Sequence, residues 1–203
     1  MFMEHLSRRE RHEETRAAIF AAARALIVER GVAGLSLREV ARRAGFSPAS
    51  LYEYFSGKDD LVAAVAAEAL EQLAAALRQV SPRLPPRQRL VAIGVAYVAF
   101  AHRFPEQFQL IFGRLPSGRS SLRQPPDARS PYRILLDAVR AALDSGAIRA
   151  RPGYGLEEIA YGIWALVHGM ALLQLTHLRQ HDADFPAVDR RALEAFIDGL
   201  ASP

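Results

Sequence analysis

The chain has 203 residues, half of them apolar, and a mean hydropathy near zero, so it can bury a core and lacks the composition of a disordered protein. Its net charge of +4 leans only slightly toward polyanions. With no cysteine, disulfides, thiolate metal sites and cysteine nucleophiles are excluded.

Apolar residues recur at helical spacing almost throughout, and no strand alternation stands out, so the expected class is all-α with about nine helices. Residues 1–14 are charged, with Arg8, Arg9 and Arg11 against Glu10, Glu13 and Glu14, and carry no signal-peptide core. A first helix is expected over 15–30, with Ile19, Ala22, Ala23, Leu26 and Ile27 as its apolar stripe and Gly31 at its end. Ser36-Leu37-Arg38-Glu39 fits a reciprocal capping box and opens a second helix that Gly45 stops. Ser47-Pro48 opens a third, as a serine cap followed by proline at the first helical position. Leu51, Tyr52 and Phe55 give that helix one apolar side. A fourth runs over 58–80, and the Pro-rich stretch 81–86 is the clearest break in the chain. Further helices are expected over 87–103, 105–112, 131–145, 156–178 and 188–200, with a mobile loop over 114–130. The apolar run 159–175 carries Tyr161 and His168 and is short for a bilayer, so it reads as a buried helix of a soluble, cytoplasmic protein.

Residues 31–61 carry the informative pattern. Two short serine-capped helices joined at Ala44-Gly45-Phe46 describe a helix-turn-helix, whose second helix enters the major groove of DNA by its N-terminal end. Here that end is Ser47, Pro48, Ala49 and Ser50, all small enough for close backbone approach. Tyr52 and Tyr54 offer hydroxyls to phosphates. Lys58 starts the fourth helix and is the single lysine in an arginine-dominated chain, a compact charge for a phosphate. Arg42 and Arg43 fit a DNA-facing role and a solvated face equally.

The pattern L-x-x-V-A-x-x-A-G followed by S-x-x-x-L-Y-x-Y-F-x-x-K-x-x-L is carried by Leu35, Leu37, Val40, Ala41, Ala44, Gly45, Ser47, Leu51, Tyr52, Tyr54, Phe55, Lys58 and Leu61. It resembles the DNA-binding domain of the tetracycline-repressor family. The resemblance implies an N-terminal arm and helix-turn-helix domain over 1–57 and a helical ligand-binding and dimerisation domain over 58–203, linked by helix 58–80. It further implies a transcriptional repressor that binds a palindromic operator in double-stranded DNA as a homodimer and is released by a small-molecule effector. DNA contacts carry over to Ser36, Arg38, Ser47, Pro48, Ala49, Ser50, Tyr52, Tyr54 and Lys58. Tyr54 replaces the histidine more usual at its position. Trp164-x-x-x-His168-Gly169 resembles a signature of one C-terminal domain type in the family.

In the second half, Tyr97, Phe100, Phe108, Trp164 and His168 are candidate linings of an effector site, although aromatic residues at such spacing equally build a core. Gly162, Ala165 and Gly169 give the eighth helix a small-residue face, and Leu193, Phe196, Ile197 and Leu200 give the ninth an apolar stripe. A four-helix dimer interface is favoured over internal packing for these two faces. No cofactor, resident metal or membrane partner is called for. A helical enzyme is disfavoured because phosphate-loop, dinucleotide, nucleophile-elbow and zinc-hydrolase motifs are all missing. The remaining alternative is a metal-sensing or partner-binding adaptor using His168, His177 and His181.

Overall fold

The computed structural model describes residues 8–113 and 130–201. Residues 114–129 of the expected loop and residues 1–7 of the N-terminal arm lie outside the described residues. Among those described there are nine helices and no strand. They are α1 (Arg8–Arg30), α2 (Leu37–Ala44), α3 (Pro48–Tyr52), α4 (Lys58–Arg78), α5 (Pro86–Arg103), α6 (Pro105–Gly113), α7 (Pro131–Asp144), α8 (Leu156–Leu175) and α9 (Phe185–Ala201). The chain divides into two compact units, one of residues 8–68 with 109–113 and the other of 69–108 with 130–201 among those described.

The first unit is organised by local signals. Ile19, Ala23 and Leu26 of α1 are buried with Val40 and Ala41 of α2, Leu51 of α3, and Leu61 and Val65 of α4. Gly31 (φ 68°) and Gly45 (φ 79°) take the left-handed conformation that ends α1 and α2. The α2–α3 turn thus needs its glycine. The Ser47 hydroxyl accepts the Ser50 amide at 3.1 Å and caps α3, with Pro48 behind it. Ser56 donates its amide and hydroxyl to the Asp60 carboxylate at 2.9 and 3.1 Å, closing the turn into α4.

Three local expectations are corrected. The first helix begins at Arg8, not at residue 15, because the charged segment ahead of Thr15 continues the helical turns, and the Thr15 hydroxyl bonds back to the Arg11 carbonyl at 2.8 Å. The capping box on α2 is only half formed. Ser36 accepts the Glu39 amide at 3.3 Å, but the Glu39 carboxylate is taken by Arg42 and Arg43. Tyr52 does not share the apolar side of α3: it is 58% exposed while Leu51 and Phe55 are buried.

The second unit is held by packing among α5, α7, α8 and α9. A Cβ on Gly94 would stand 2.8 Å from Leu193 and 3.1 Å from Val167, so α5 needs a bare backbone to approach α8 and α9. Ile159, Ile163, Val167, Leu193 and Ile197 are buried. A polar strut crosses this interior: Gln174 donates to Asp189 at 2.8 Å and its carbonyl meets the His102 ring, joining α5, α8 and α9. The α8 helix is long and apolar enough, by length and composition, to cross a membrane, contrary to the expectation that it is too short. It is also not wholly buried, since Tyr161, Leu172 and Leu173 stand at the surface.

Candidate functional site

The small residues that open α3 stand in solvent. Ser47, Pro48 and Ala49 are exposed and Ser50 is half-buried, and Leu51 behind them anchors the helix in the core. The Ser47 and Ser50 hydroxyls lie 2.8 Å apart on this edge. Ser36 and Arg38 at the start of α2 are also exposed.

The arginines of α2 divide sharply. Arg42 donates twice to Glu39, at 2.9 and 2.6 Å, and Arg43 donates to both carboxylate oxygens of Glu29 at 2.6 Å and to Glu39 at 3.3 Å. The Arg42 hydrogen bonds, with those of Arg43, pull the Glu39 carboxyl down to about 2. The Arg43 guanidinium likewise holds Glu29 below the usual carboxylate range. Arg43 therefore fastens α2 to the end of α1, and neither arginine is uncommitted. Arg38 forms no ion pair among the described residues.

Lys58 is half-buried, and its ammonium donates to the Ala33 carbonyl at 2.8 Å, tying the start of α4 to the α1–α2 loop. Two of its three donors are left over. Tyr54 lies partly against the core, and its ring stacks on His12 of α1 with centroids 4.9 Å apart and planes 25° apart. Sequence reasoning had no access to that partner, because the residues are 42 positions apart and His12 lies ahead of the expected helix start.

In the second unit, Tyr97, Trp164 and His168 meet. The Tyr97 hydroxyl lies 2.9 Å from His168 Nδ1, and Trp164 Nε1–H donates to the same hydroxyl at 3.3 Å. Phe108 is buried against both Tyr97 and His168, at ring separations of 5.7 and 5.4 Å. Tyr132, which the sequence did not single out, packs on Trp164 at 5.4 Å. Burial pushes the Tyr97 phenol well above its ordinary range and pulls His168 below its own. A neutral His168 suits this geometry, since Nδ1 can then accept a hydrogen bond from the Tyr97 hydroxyl. Phe100 is the exception among the expected lining residues: it is buried, and its ring packs on Phe104 at 5.3 Å.

The faces expected to pair two copies need correction. Leu193, Ile197 and Leu200 are buried at 0, 1 and 7% exposure and belong to the interior of one chain. Gly162 is also committed internally: a Cβ there would meet the Tyr154 hydroxyl at 2.6 Å and Phe196 at 3.1 Å. Of the residues named from sequence, Ala165 is exposed, and Gly169 has nothing within 4 Å of where a Cβ would stand. The exposed apolar residues lie elsewhere on the same helices: Tyr161, Leu172 and Leu173 on α8 and Val188 on α9. Exposed Ala195 and Gly199 follow Val188 at helical spacing.

His177 and His181 do not gather a third ligand. His177 Nδ1 lies 3.1 Å from the Thr176 hydroxyl, and His181 packs near Phe185. Among the described residues no group of three His, Cys, Asp or Glu side chains is placed to hold a metal ion.

Comparison with known proteins now bears on this geometry. Residues 19–65 match the family of bacterial regulatory proteins of the tetR type, and residues 90–199 match the tetracyclin repressor-like C-terminal domain. The chain belongs to the tetracycline-repressor family. The first match spans the helix-turn-helix, and the second spans the helices that carry Tyr97, Trp164 and His168. The HTH-type transcriptional regulator Rv1816 of Mycobacterium tuberculosis is 28% identical over 150 residues, which cover 70% of this chain and 63% of that protein. An HTH-type transcriptional regulator of Haemophilus influenzae is 32% identical over 121 residues, 59% of this chain and 58% of the other. The chain thus spans less than two thirds of the curated relatives it matches. A protein of unknown function from Rhodococcus sp. RHA1 superposes with a TM-score of 0.79 at 26% identity, covering 98% of both chains. A TetR family transcription regulator from Marinobacter aquaeolei has the same fold, with a TM-score of 0.67 at 21% identity over 93% of this chain and 97% of the other.

Proposed function

We propose that this tetracycline-repressor family member is a non-enzymatic, cytoplasmic repressor that binds a palindromic operator as a homodimer and leaves it when a small molecule enters its C-terminal unit. The observation that carries the reading is the exposed run Ser47, Pro48 and Ala49 at the start of a helix anchored by buried Leu51. Small side chains there let the backbone approach base edges, and Ala49 or the Pro48 ring can pack on a thymine methyl. Arg38, Tyr52 and the spare donors of Lys58 would contact phosphates and set register.

The dimer supplies the two-fold symmetry that a palindrome requires. Its interface is the exposed apolar stripe of α8, with Tyr161, Ala165, Gly169 and Leu172, joined by Val188, Ala195 and Gly199 of α9. A helix as apolar as α8 with large side chains in water needs covering, and a second copy provides it. The effector acts at the Tyr97–Trp164–His168 cluster, where Phe108 and Tyr132 supply apolar walls and one shared hydroxyl supplies polar recognition. Release by a factor of about a hundred needs roughly 2.7 kcal/mol of difference in effector affinity between the bound and released states.

The test is selection of duplexes from random DNA, followed by sizing of the complex on an enriched sequence. An inverted repeat carrying two chains is the expected outcome. Enrichment of nothing, with no shift of any duplex at low salt, removes the repressor reading.

A further inference from the structure

The ring stack between His12 and Tyr54 joins two side chains that have no other described partner for their polar atoms. His12 is exposed on the first two turns of α1, and Tyr54 lies in the turn after α3, half-buried against the core. Neither the Tyr54 hydroxyl nor the His12 ring nitrogens make a hydrogen bond to a described residue. The stack is close to parallel, with centroids 4.9 Å apart. The apolar side of Tyr54 is already fixed by the core, so His12 covers its second face and limits where the hydroxyl can point.

The structure assigns His12 and Tyr54 together as one binding site for a single backbone phosphate of duplex DNA, with α1 supplying one donor and the α3–α4 turn the other. The assignment rests on the DNA-binding reading above and adds to it a residue from outside the helix-turn-helix. The stack holds the two rings at one edge of the unit, so their polar atoms can each reach a different oxygen of one phosphate. The neighbouring geometry supports an anion here. Arg16 lies on the same helix one turn on, with its guanidinium 5.0 Å from the Phe20 ring centroid, and Phe20 packs near Phe55, the residue after Tyr54. The imidazole donates from whichever nitrogen carries its proton. Such a contact fixes the docking register and reads no base.

The experiment uses the full chain and titrates fluorescent duplexes, one selected as an operator and one unrelated, against wild type, His12→Phe, Tyr54→Phe and the double variant. Phenylalanine keeps an aromatic ring at each position and removes the donor. Each single variant is expected to weaken binding about five- to tenfold, as one lost hydrogen bond does, and equally on both duplexes. The double variant is expected to lose less than the product of the two single losses, because both donors serve one phosphate. Thermal melts of all variants are expected to match wild type, since neither donor makes a hydrogen bond to a described residue. If His12→Phe binds both duplexes as wild type does, the ring is packing only and the assignment is overturned. If only the selected duplex suffers, the pair reads sequence and the phosphate assignment is likewise overturned. A wild-type chain that binds neither duplex would overturn the DNA-binding reading itself, a result separate from either of these.

Discussion

In the helix-turn-helix unit the groups left without a polar partner among the described residues stand toward the surface: Arg38 in the first turn of α2, Pro48 and Ala49 at the opening of α3, and the polar edges of Tyr54 and His12. In the C-terminal unit the corresponding chemistry is turned inward. Tyr97, Trp164 and His168 satisfy one another, and Gln174 and Asp189 are both 5% exposed and hydrogen-bonded. A surface that reads a rigid polyanion can be laid down by a few contiguous residues and their caps. An interior that answers to a small molecule requires side chains from distant helices to meet. The first unit is therefore expected to tolerate changes at its exposed edge that would be costly in the second.

The largest contrast is within α8 and α9. Leu193→Ala is expected to lose about 2–5 kcal/mol of stability, read as a lower denaturation midpoint, because Leu193 is fully buried and fills the space left by Gly94. Leu172→Asp, at a side chain 40% exposed, is expected to leave the melt of the chain nearly intact while light scattering finds monomers. A dimer unaffected by Leu172→Asp would place the interface elsewhere. Next in size, Ala49→Glu is expected to weaken operator binding at least a hundredfold, about 2.7 kcal/mol, with an unchanged circular dichroism spectrum, because it sets bulk and negative charge where DNA would approach. Tyr97→Phe is expected to cost about 1–3 kcal/mol in chemical denaturation, since it strips the hydroxyl shared by Trp164 and His168.

Smaller effects sharpen the comparison further. Arg38→Ala is expected to weaken binding about tenfold on any duplex, and Arg42→Ala by no more than about twofold, because Arg42 is already paired with Glu39. Equal losses would mean that the Glu39 pair opens on DNA. The smallest effect concerns pH. Burial holds His168 below its ordinary range in the folded chain, so the folded state binds fewer protons than the unfolded one as the solution becomes acidic. The contribution of neutral His168 is complete above the unfolded imidazole range, near about 6.5, and is lost as pH falls below it. The melting advantage of wild type over His168→Asn is therefore expected to be larger at pH 7.5 than at pH 5.5.

These contrasts also explain what was legible in the sequence. Gly45 and the Ser47-Pro48 cap are fixed by interactions within a few residues, and each expectation matches the structure. Tyr52 departs from the expected apolar side because a five-residue helix gives too few turns to fix a face. On α9 the strongest stripe, Leu193, Ile197 and Leu200, is expected from sequence to meet a partner. Periodicity tells which residues share a face and not what that face meets, and the strongest stripe went to the chain's own core. The weaker stripe of Val188, Ala195 and Gly199 was left outside. The meetings of His12 with Tyr54 and of Gln174 with Asp189 depend on tertiary arrangement, and no local pattern announces them.

The most direct test of the central claim, that the exposed start of α3 enters the groove, uses the lack of cysteine in the chain. Glu53→Cys places a single thiol at the exposed C-terminal end of α3, to which a DNA-cleaving iron chelate can be attached. On a selected operator the account predicts two clusters of cuts, related by the two-fold axis of the inverted repeat and separated by one or more helical turns, about 34–36 Å each. A chelate-bearing protein that stays bound to that duplex and cuts it no more than free reagent does would contradict the account.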